Sequence, residues 1–203
     1  VTGYVSSDGA TWTLVGRDTF TMAASVRIGL AVSSHTTAAT ATGTFDGVTV
    51  SGSAPTLPAG WPSSDVGPVG RTGPAAPTGE IFTVTGAGAD VWGTADAFRL
   101  ANLPMSGDGE IVARVAAIDG AQAWTKVGVM IRESLDPGSA HAFMLLSAAK
   151  GAAFQRRATA GGASVHTAGP LVQAPGWVRV TRRGGTITAS FSLDGSAWTT
   201  VGS

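Results

Sequence analysis

The sequence predicts an all-β fold, either a sandwich of two antiparallel sheets or a jelly roll. Its 203 residues are only 13% charged and are rich in Gly, Ala, Thr, Ser and Val, a composition typical of ordered β proteins. Apolar and polar residues alternate in several segments, and Gly- and Asp-containing turns separate them at intervals of about ten residues. No segment has an apolar stripe with the period of a long helix. The length suits a single sandwich.

The alternation has the two-residue period of half-buried strands. Residues 25–32 place Val26, Ile28 and Leu30 on one face of a strand, and Arg27 and Gly29 on the other. The same pattern predicts further strands at 110–118, 126–133, 141–147, 176–181 and 186–192.

Residues 51–79 interrupt this pattern and divide the chain. The segment holds most of the prolines, which exclude a helix or a central strand of any length. Its composition predicts a linker, within which Trp61 and residues 65–67 are candidates for docking on a core.

The two ends of the chain nearly repeat each other. Residues 1–17 and 187–203 share Ser, Asp-Gly, Trp-Thr and Val-Gly at matching places, and Asp8 corresponds to Asp194 with an offset of 186 residues. An offset of one domain length indicates a tandem array. We therefore expect the chain to contain the end of one repeat followed by the beginning of the next.

Both copies contain a Ser-x-Asp-Gly-x-x-Trp motif, which predicts a hairpin. Asp-Gly provides the positive φ angles of a tight turn, and Trp12 or Trp198 returns to the sheet as an aromatic anchor. The alternative interpretation is a tryptophan that stacks on a sugar ring.

Several segments together resemble one known group of domains. They are GAGADVWGTADAF at 86–98, SGDGEIVARV at 106–115, WTKVGVMIRESLDPGSAHAFM at 124–144, GAAFQRR at 151–157, PGWVRVTR at 175–182, SLDGSAWTTVG at 192–202 and IGLAVSSHTTAATATGTFDGVTV at 28–50. They are similar to the domain of unknown function in the concanavalin A-like lectin/glucanase superfamily that is sometimes labelled "regulation of enolase". The resemblance implies a two-sheet antiparallel jelly roll of a kind that recurs in tandem in bacterial secreted proteins.

The elements occur in permuted order relative to that group. Residues 1–50 correspond to the last strands of one repeat, 51–79 to the linker and start of the next, and 80–203 to its first and central strands. Together they make about one sandwich. Residues 1–50 could complete the sandwich of the same chain, or that of a neighbouring copy in a head-to-tail filament.

The sequence argues against several functions. A net charge of zero gives no basic surface for nucleic acid, and no stretch is apolar enough to span a bilayer. Only Glu133 and Asp136 approach the spacing of paired glucanase carboxylates, and an ion pair or turn cap is the preferred interpretation. The three histidines, His35, His141 and His166, form neither a serine-hydrolase nor a zinc motif. We therefore expect no enzyme.

Calcium is the metal to consider, because oxygen ligands from loops suit Ca²⁺. Asp90 and Asp96 flank Trp92, and Asp108 follows in SGDGE, so these three aspartates are candidate ligands of a structural calcium ion. Asp-Gly pairs also form turns without metal, and both interpretations stay open.

A sugar site needs an exposed aromatic ring and fixed polar groups. On the strand at 126–133, Lys126 and Arg132 share one face with the preceding Trp124. With polar residues of a neighbouring strand and a loop tryptophan, they define a candidate carbohydrate site: Trp92, Trp124, Lys126, Arg132, Gln155 and Arg157. The alternative is that Arg132 pairs with a carboxylate and Trp124 caps the core.

Two functions follow from these expectations. One is a non-catalytic, lectin-like module of a secreted or cell-surface tandem-repeat protein, with a glycan as its partner. The other is a structural or adhesive repeat of an extracellular filament, whose partners are neighbouring copies.

Overall fold

The computed structural model describes residues 3–5, 13–16, 18–19, 21–52 and 61–203, with side chains described in 21–52 and 61–203. Within these ranges the chain forms β-strands and no helix. The strands are β1 (Gly3–Val5), β2 (Thr13–Gly16), β3 (Asp18–Thr19), β4 (Ser25–Ser33), β5 (Thr36–Gly52), β6 (Ser63–Val66), β7 (Ala75–Thr78), β8 (Ile81–Gly88), β9 (Val91–Trp92), β10 (Ala95–Asp96), β11 (Phe98–Ser106), β12 (Gly109–Asp119), β13 (Lys126–Arg132), β14 (His141–Ser147), β15 (Ala152–Arg157), β16 (Val165–Ala168), β17 (Gly176–Arg183), β18 (Thr186–Ser192) and β19 (Trp198–Gly202).

Two large antiparallel sheets form a β-sandwich. Sheet I has the order β16-β15-β14-β13-β4-β11-β6, and sheet II has the order β19-β18-β17-β12-β5-β8-β7, with β3 paired to part of β18. The predicted all-β, two-sheet character is confirmed. The strands predicted from alternation are all present, and those at 141–147 and 186–192 have the expected bounds.

The strands β4 and β5 lie in the middle of the two sheets. β4 pairs with β11 on one side and β13 on the other, while β5 pairs with β8 and β12. Both strands come from the N-terminal quarter of the chain, yet all their partners come after residue 80. In this structure, residues 25–52 therefore pair within their own chain.

The core between the sheets is built from alternating positions of both sheets. Ile28 and Val129 from sheet I face Val178 and Val180 from sheet II, and all four side chains are fully buried. Each such burial contributes about 1.5–3 kcal/mol. The alternation that predicted the strands is thus the alternation that fills the core.

Sheet I is also covered on its other face, which we call its outer face. Phe98, Met130, Phe143 and Leu145 form a second apolar cluster there, and Val91 of β9 packs against it. Because both faces of β13 and β14 are covered, every residue of these two strands is buried.

The segment at 51–79 contains more than a linker. Its described part includes β6 at the edge of sheet I and β7 at the edge of sheet II. Proline is tolerated on an edge strand, which is where Pro77 lies. Trp61 is 5% exposed, and its ring centroid is 5.3 Å from that of Phe82, so this tryptophan does dock on the core.

The hairpin at 187–203 has an anchoring tryptophan. Oδ1 of Asp194 accepts hydrogen bonds from the backbone N–H groups of Ser196 and Ala197, and the bond from Ser196 is the main cause of the lowered pKa of Asp194. Trp198 is 1% exposed and donates from Nε1 to the carbonyl of Gly195. Trp198 is therefore buried away from any ligand, whereas Trp12 lies outside the described residues.

No helix long and apolar enough to cross a membrane occurs in the described ranges.

We predict that the isolated chain is a monomer, because β4 and β5 already complete both of its sheets. Size-exclusion chromatography with light scattering should give a mass near 20.2 kDa that does not change with concentration. A mass that rises with concentration would instead indicate strand donation between chains.

Candidate functional site

A cavity of about 470 Å³ opens at one end of the outer face of sheet I. Its size lies in the range of small-molecule sites. Its walls come from the β4–β5 turn, the β9 region, the start of β13 and the strands β15 and β16. The lining residues are His35, Asp90, Trp92, Trp124, Lys126, Gln155 and His166.

Lys126 is buried at the base of this cavity, with 1% of its surface exposed. Its Nζ donates to Oε1 of Gln155 at 2.8 Å and to the carbonyl of Val91 at 3.2 Å, and it forms an ion pair with Oδ1 of Asp90. Burial lowers the pKa of Lys126, and the carboxylate of Asp90 opposes that shift. These three partners match the three N–H donors of an ammonium group.

Two tryptophans flank the ammonium group. The Nζ of Lys126 is 5.9 Å from the ring centroid of Trp92 and 5.7 Å from that of Trp124, within cation–π range. Trp92 is 41% exposed and Trp124 is half-buried, so both rings leave surface accessible from the cavity. His166 stands edge-on to both rings, with centroid distances of 6.3 Å and 5.7 Å.

Gln155 connects the lysine to His166. Since Oε1 of Gln155 accepts from Lys126, its Nε2 is the atom that faces Nδ1 of His166 at 3.3 Å. Nδ1 must then act as an acceptor, which assigns the proton of the neutral ring to Nε2. Burial lowers the pKa of His166, and the positive charges of Lys126 and Arg156 lower it further, which favours this neutral ring.

His35 reaches the cavity rim from the tight turn between β4 and β5. Its φ angle of 61° is in the left-handed region, which a non-glycine residue seldom adopts. Ser34 stabilises this turn, because its Oγ donates to the carbonyl of Thr36 at 2.6 Å. Nδ1 of His35 lies 3.1 Å from Oδ2 of Asp90, an electrostatic contact without hydrogen-bond alignment.

Further along the same face lies a buried charged cluster, which we call the Asp96 cluster. Strand pairing places Arg132, His141 and Arg157 in one row across β13, β14 and β15. Asp96 of β10 lies over this row. Its carboxylate accepts from Arg157 at 2.7 Å and 2.9 Å and from Arg132 at 3.2 Å. The four side chains are almost completely buried.

Arg157 also joins three loops to the sheet. Its guanidinium donates to the carbonyls of Gly93 at 3.2 Å, Gly162 at 3.1 Å and Ser139 at 3.1 Å. Gly93 directly follows Trp92 in the β9–β10 hairpin, so these bonds help to place Trp92 at the cavity.

The structure brings together four of the six residues predicted to bind carbohydrate. Trp92, Trp124, Lys126 and Gln155 line the cavity. Arg132 and Arg157 were expected to join them, and this placement is wrong, because loops cover that part of the face and leave both guanidinium groups 0% exposed. Arg132 instead pairs with a carboxylate, which was the alternative interpretation.

The three aspartates predicted as calcium ligands are separated. Asp90 pairs with Lys126, and Asp96 pairs with two arginines. Asp108 accepts from the backbone N–H of Gly184 at 2.6 Å in another turn. In residues 21–52 and 61–203, no group of three or more His, Cys, Asp or Glu side chains could hold a metal ion.

Glu133 and Asp136 serve as backbone and turn partners. Oε1 of Glu133 accepts from the backbone N–H of Ala23 at 2.6 Å, and Oδ2 of Asp136 accepts from Ser134. This agrees with a structural interpretation of the pair.

Three cavity residues were absent from the predicted carbohydrate site: His35, His166 and Asp90, which was considered only as a calcium ligand. A serine-rich turn before His35 was the available signal for a rim position. Nothing in the pattern around His166 indicated that β16 would pair with β15 and set this histidine beside Gln155.

No protein-family model, curated protein or solved structure matches this chain. The resemblance to the concanavalin A-like group, the jelly-roll topology and the permuted repeat order therefore stay predictions.

We predict that His141 makes the fold sensitive to acid. Burial lowers its pKa from 6.5 to about 3, so the unfolded chain binds a proton that the folded chain excludes between these values. Stability from this group is complete above pH 6.5 and decreases as pH falls towards 3, by up to about 1.4 kcal/mol per pH unit. Urea unfolding from pH 7.5 to 4 should show a steeper loss for the native chain than for His141→Gln. Parallel curves would contradict this account.

We also predict that His166 is neutral at pH 7. Its ring resonances in an NMR titration should change with a midpoint below the ordinary 6.5. Lys126→Met should raise that midpoint, because it removes one of the positive charges that lower the pKa. A midpoint above 6.5 in the native chain would contradict the lowered pKa, and a midpoint above 7 would exclude the neutral Gln155–His166 arrangement at pH 7.

Proposed function

We propose that this chain is a non-catalytic carbohydrate-binding module of a secreted or cell-surface protein. The observation that carries the proposal is the cavity on sheet I, where the partly exposed rings of Trp92 and Trp124 stand beside ordered polar groups. Aromatic rings suit the apolar faces of a pyranose, and fixed polar side chains suit its hydroxyl groups.

The preorganisation of the cavity side chains supports the same proposal. Lys126, Asp90 and Gln155 are held in place before any ligand arrives, by ion pairing and hydrogen bonds among themselves. The Asp96 cluster ties the hairpin that carries Trp92 to the sheet. A site built in this way loses little side-chain entropy on binding.

We also propose that the cavity does not catalyse glycoside hydrolysis. The only acidic residue lining the cavity is Asp90, within the part of the chain that the structure describes, and it is engaged by Lys126. A glycoside hydrolase of the usual type needs two carboxyl groups flanking the scissile bond.

We predict that Trp92→Ala and Trp124→Ala each weaken glycan binding at least about tenfold, equivalent to about 1.4 kcal/mol. Binding is measured by a glycan array followed by calorimetry on the best ligand. Trp177→Ala is the matched control, because Trp177 is a half-buried tryptophan on sheet II and does not line the cavity. Retention of no glycan at all, or equal losses in all three variants, would exclude this site as a carbohydrate site.

A second proposal is a structural repeat of an extracellular filament. It is supported by the repeated ends of the sequence, whose offset of one domain length indicates a tandem array. The light-scattering measurement described with the fold tests the strand-exchange form of this proposal.

A further inference from the structure

The electrostatics of the cavity lead to a narrower conclusion about its ligand. Its formal charges are one lysine and one aspartate, Lys126 and Asp90, and these two side chains neutralise each other in a direct ion pair. The remaining polar groups that line it are Gln155, which is uncharged, and the two histidines, His35 and His166. Asp96 is the next carboxylate towards Lys126, and it pairs with Arg132 and Arg157. The one excess positive charge of this cluster is buried, because both guanidinium groups are 0% exposed and do not line the cavity.

Lys126 is the group that would recognise an anionic sugar, but its donors are already used. Asp90, Gln155 and the carbonyl of Val91 occupy the three N–H positions of the ammonium group. A ligand carboxylate could reach this cation only by displacing one of them, which would leave a buried polar group unpaired. It would also approach the carboxylate of Asp90, whose side chain is 23% exposed.

The two histidines do not make the cavity more favourable for an anionic ligand. His166 has Nδ1 turned to the amide of Gln155 as an acceptor, so its ring fits the network in the neutral form. His35 directs Nδ1 towards Oδ2 of Asp90, so a ligand carboxylate that approaches this nitrogen would meet the carboxylate of Asp90.

We propose that the cavity selects uncharged pyranosides and discriminates against uronic and sialic acids. This rests on the proposed carbohydrate-binding function and deepens it by naming the substrate class. Recognition then comes from the rings of Trp92 and Trp124 and from hydrogen bonds at the rim, and not from ionic attraction.

The experiment compares neutral sugars with their oxidised counterparts. Oligosaccharides of glucose, mannose and galactose are tested beside those of glucuronic, mannuronic and galacturonic acid, which differ only in the group at C6, and sialylated glycans complete the panel. We expect the best neutral ligand to bind at least about tenfold more tightly than its matched uronate. Affinity for it should change less than twofold between 0.05 and 1 M NaCl, because no counterions are exchanged.

Asp90→Asn provides the matched variant, since asparagine keeps the shape of the side chain and removes its charge. It leaves Lys126 without its ionic partner, so the affinity ratio of uronate to neutral sugar should rise at least about fivefold. Near-UV circular dichroism checks that the tryptophan environment is preserved. If the variant does not fold, two measurements on the native chain still test the selectivity: the salt dependence of binding and the ratio of its affinities for a neutral sugar and the matched uronate.

The outcomes separate this inference from the function on which it rests. Tight, salt-independent binding of a neutral sugar supports both. Preferential, salt-sensitive binding of uronates or sialosides through Trp92 and Trp124 overturns the selectivity and leaves the carbohydrate-binding function standing. No binding of any member of the panel overturns both.

Discussion

The strands β13 and β14 of sheet I are buried on both faces, and this constraint determines what the charged side chains on this sheet can do. Sheet II covers one face, and the loops around β9, β10 and β14 cover most of the other. A charge on a covered face must be paired, because burying it alone costs far more than one hydrogen bond provides. Lys126, Arg132 and Arg157 all lie on the outer face, and each has an acidic partner there.

Two aspartates that are close in sequence divide this outer face into two regions. Asp96 lies between two guanidinium groups under the loops, where no solvent reaches it. Asp90 lies at the boundary of the covered region, paired with Lys126 on one side and facing His35 on the other. The first region is a closed structural cluster, while the second is open and forms the cavity.

The site depends on residues that are far apart in the chain. His35 comes from the turn between the two central strands, and the other lining residues lie between positions 90 and 166. Since β4 and β5 each join two parts of a sheet, the same N-terminal segment that completes the sandwich also delivers one wall of the site. Loss of that segment would therefore remove both the core and the rim histidine.

The sequence alone determined six of the strands, their alternating faces and the turn chemistry between them, but not β6 and β7 in the segment that it predicted as a linker. Alternation placed Lys126 and Arg132 on one face of β13, and the structure has Lys126 at the cavity while Val129 and Ile131, at the positions between, lie in the core. Alternation put Trp124 and Lys126 on a shared face, and the predicted site added Gln155 from a neighbouring strand and Trp92 from a loop; all four line the cavity. Periodicity, however, says nothing about what lies above that face.

Only the tertiary structure decided which outward residues stay accessible. Arg132 and Lys126 share a face of β13, but loops cover the arginine and leave a cavity beside the lysine. The partners of Asp90 and Asp96 and the arrival of His35 and His166 likewise follow from strand order and loop course. These are contacts between segments tens of residues apart, and a local pattern carries no information about them.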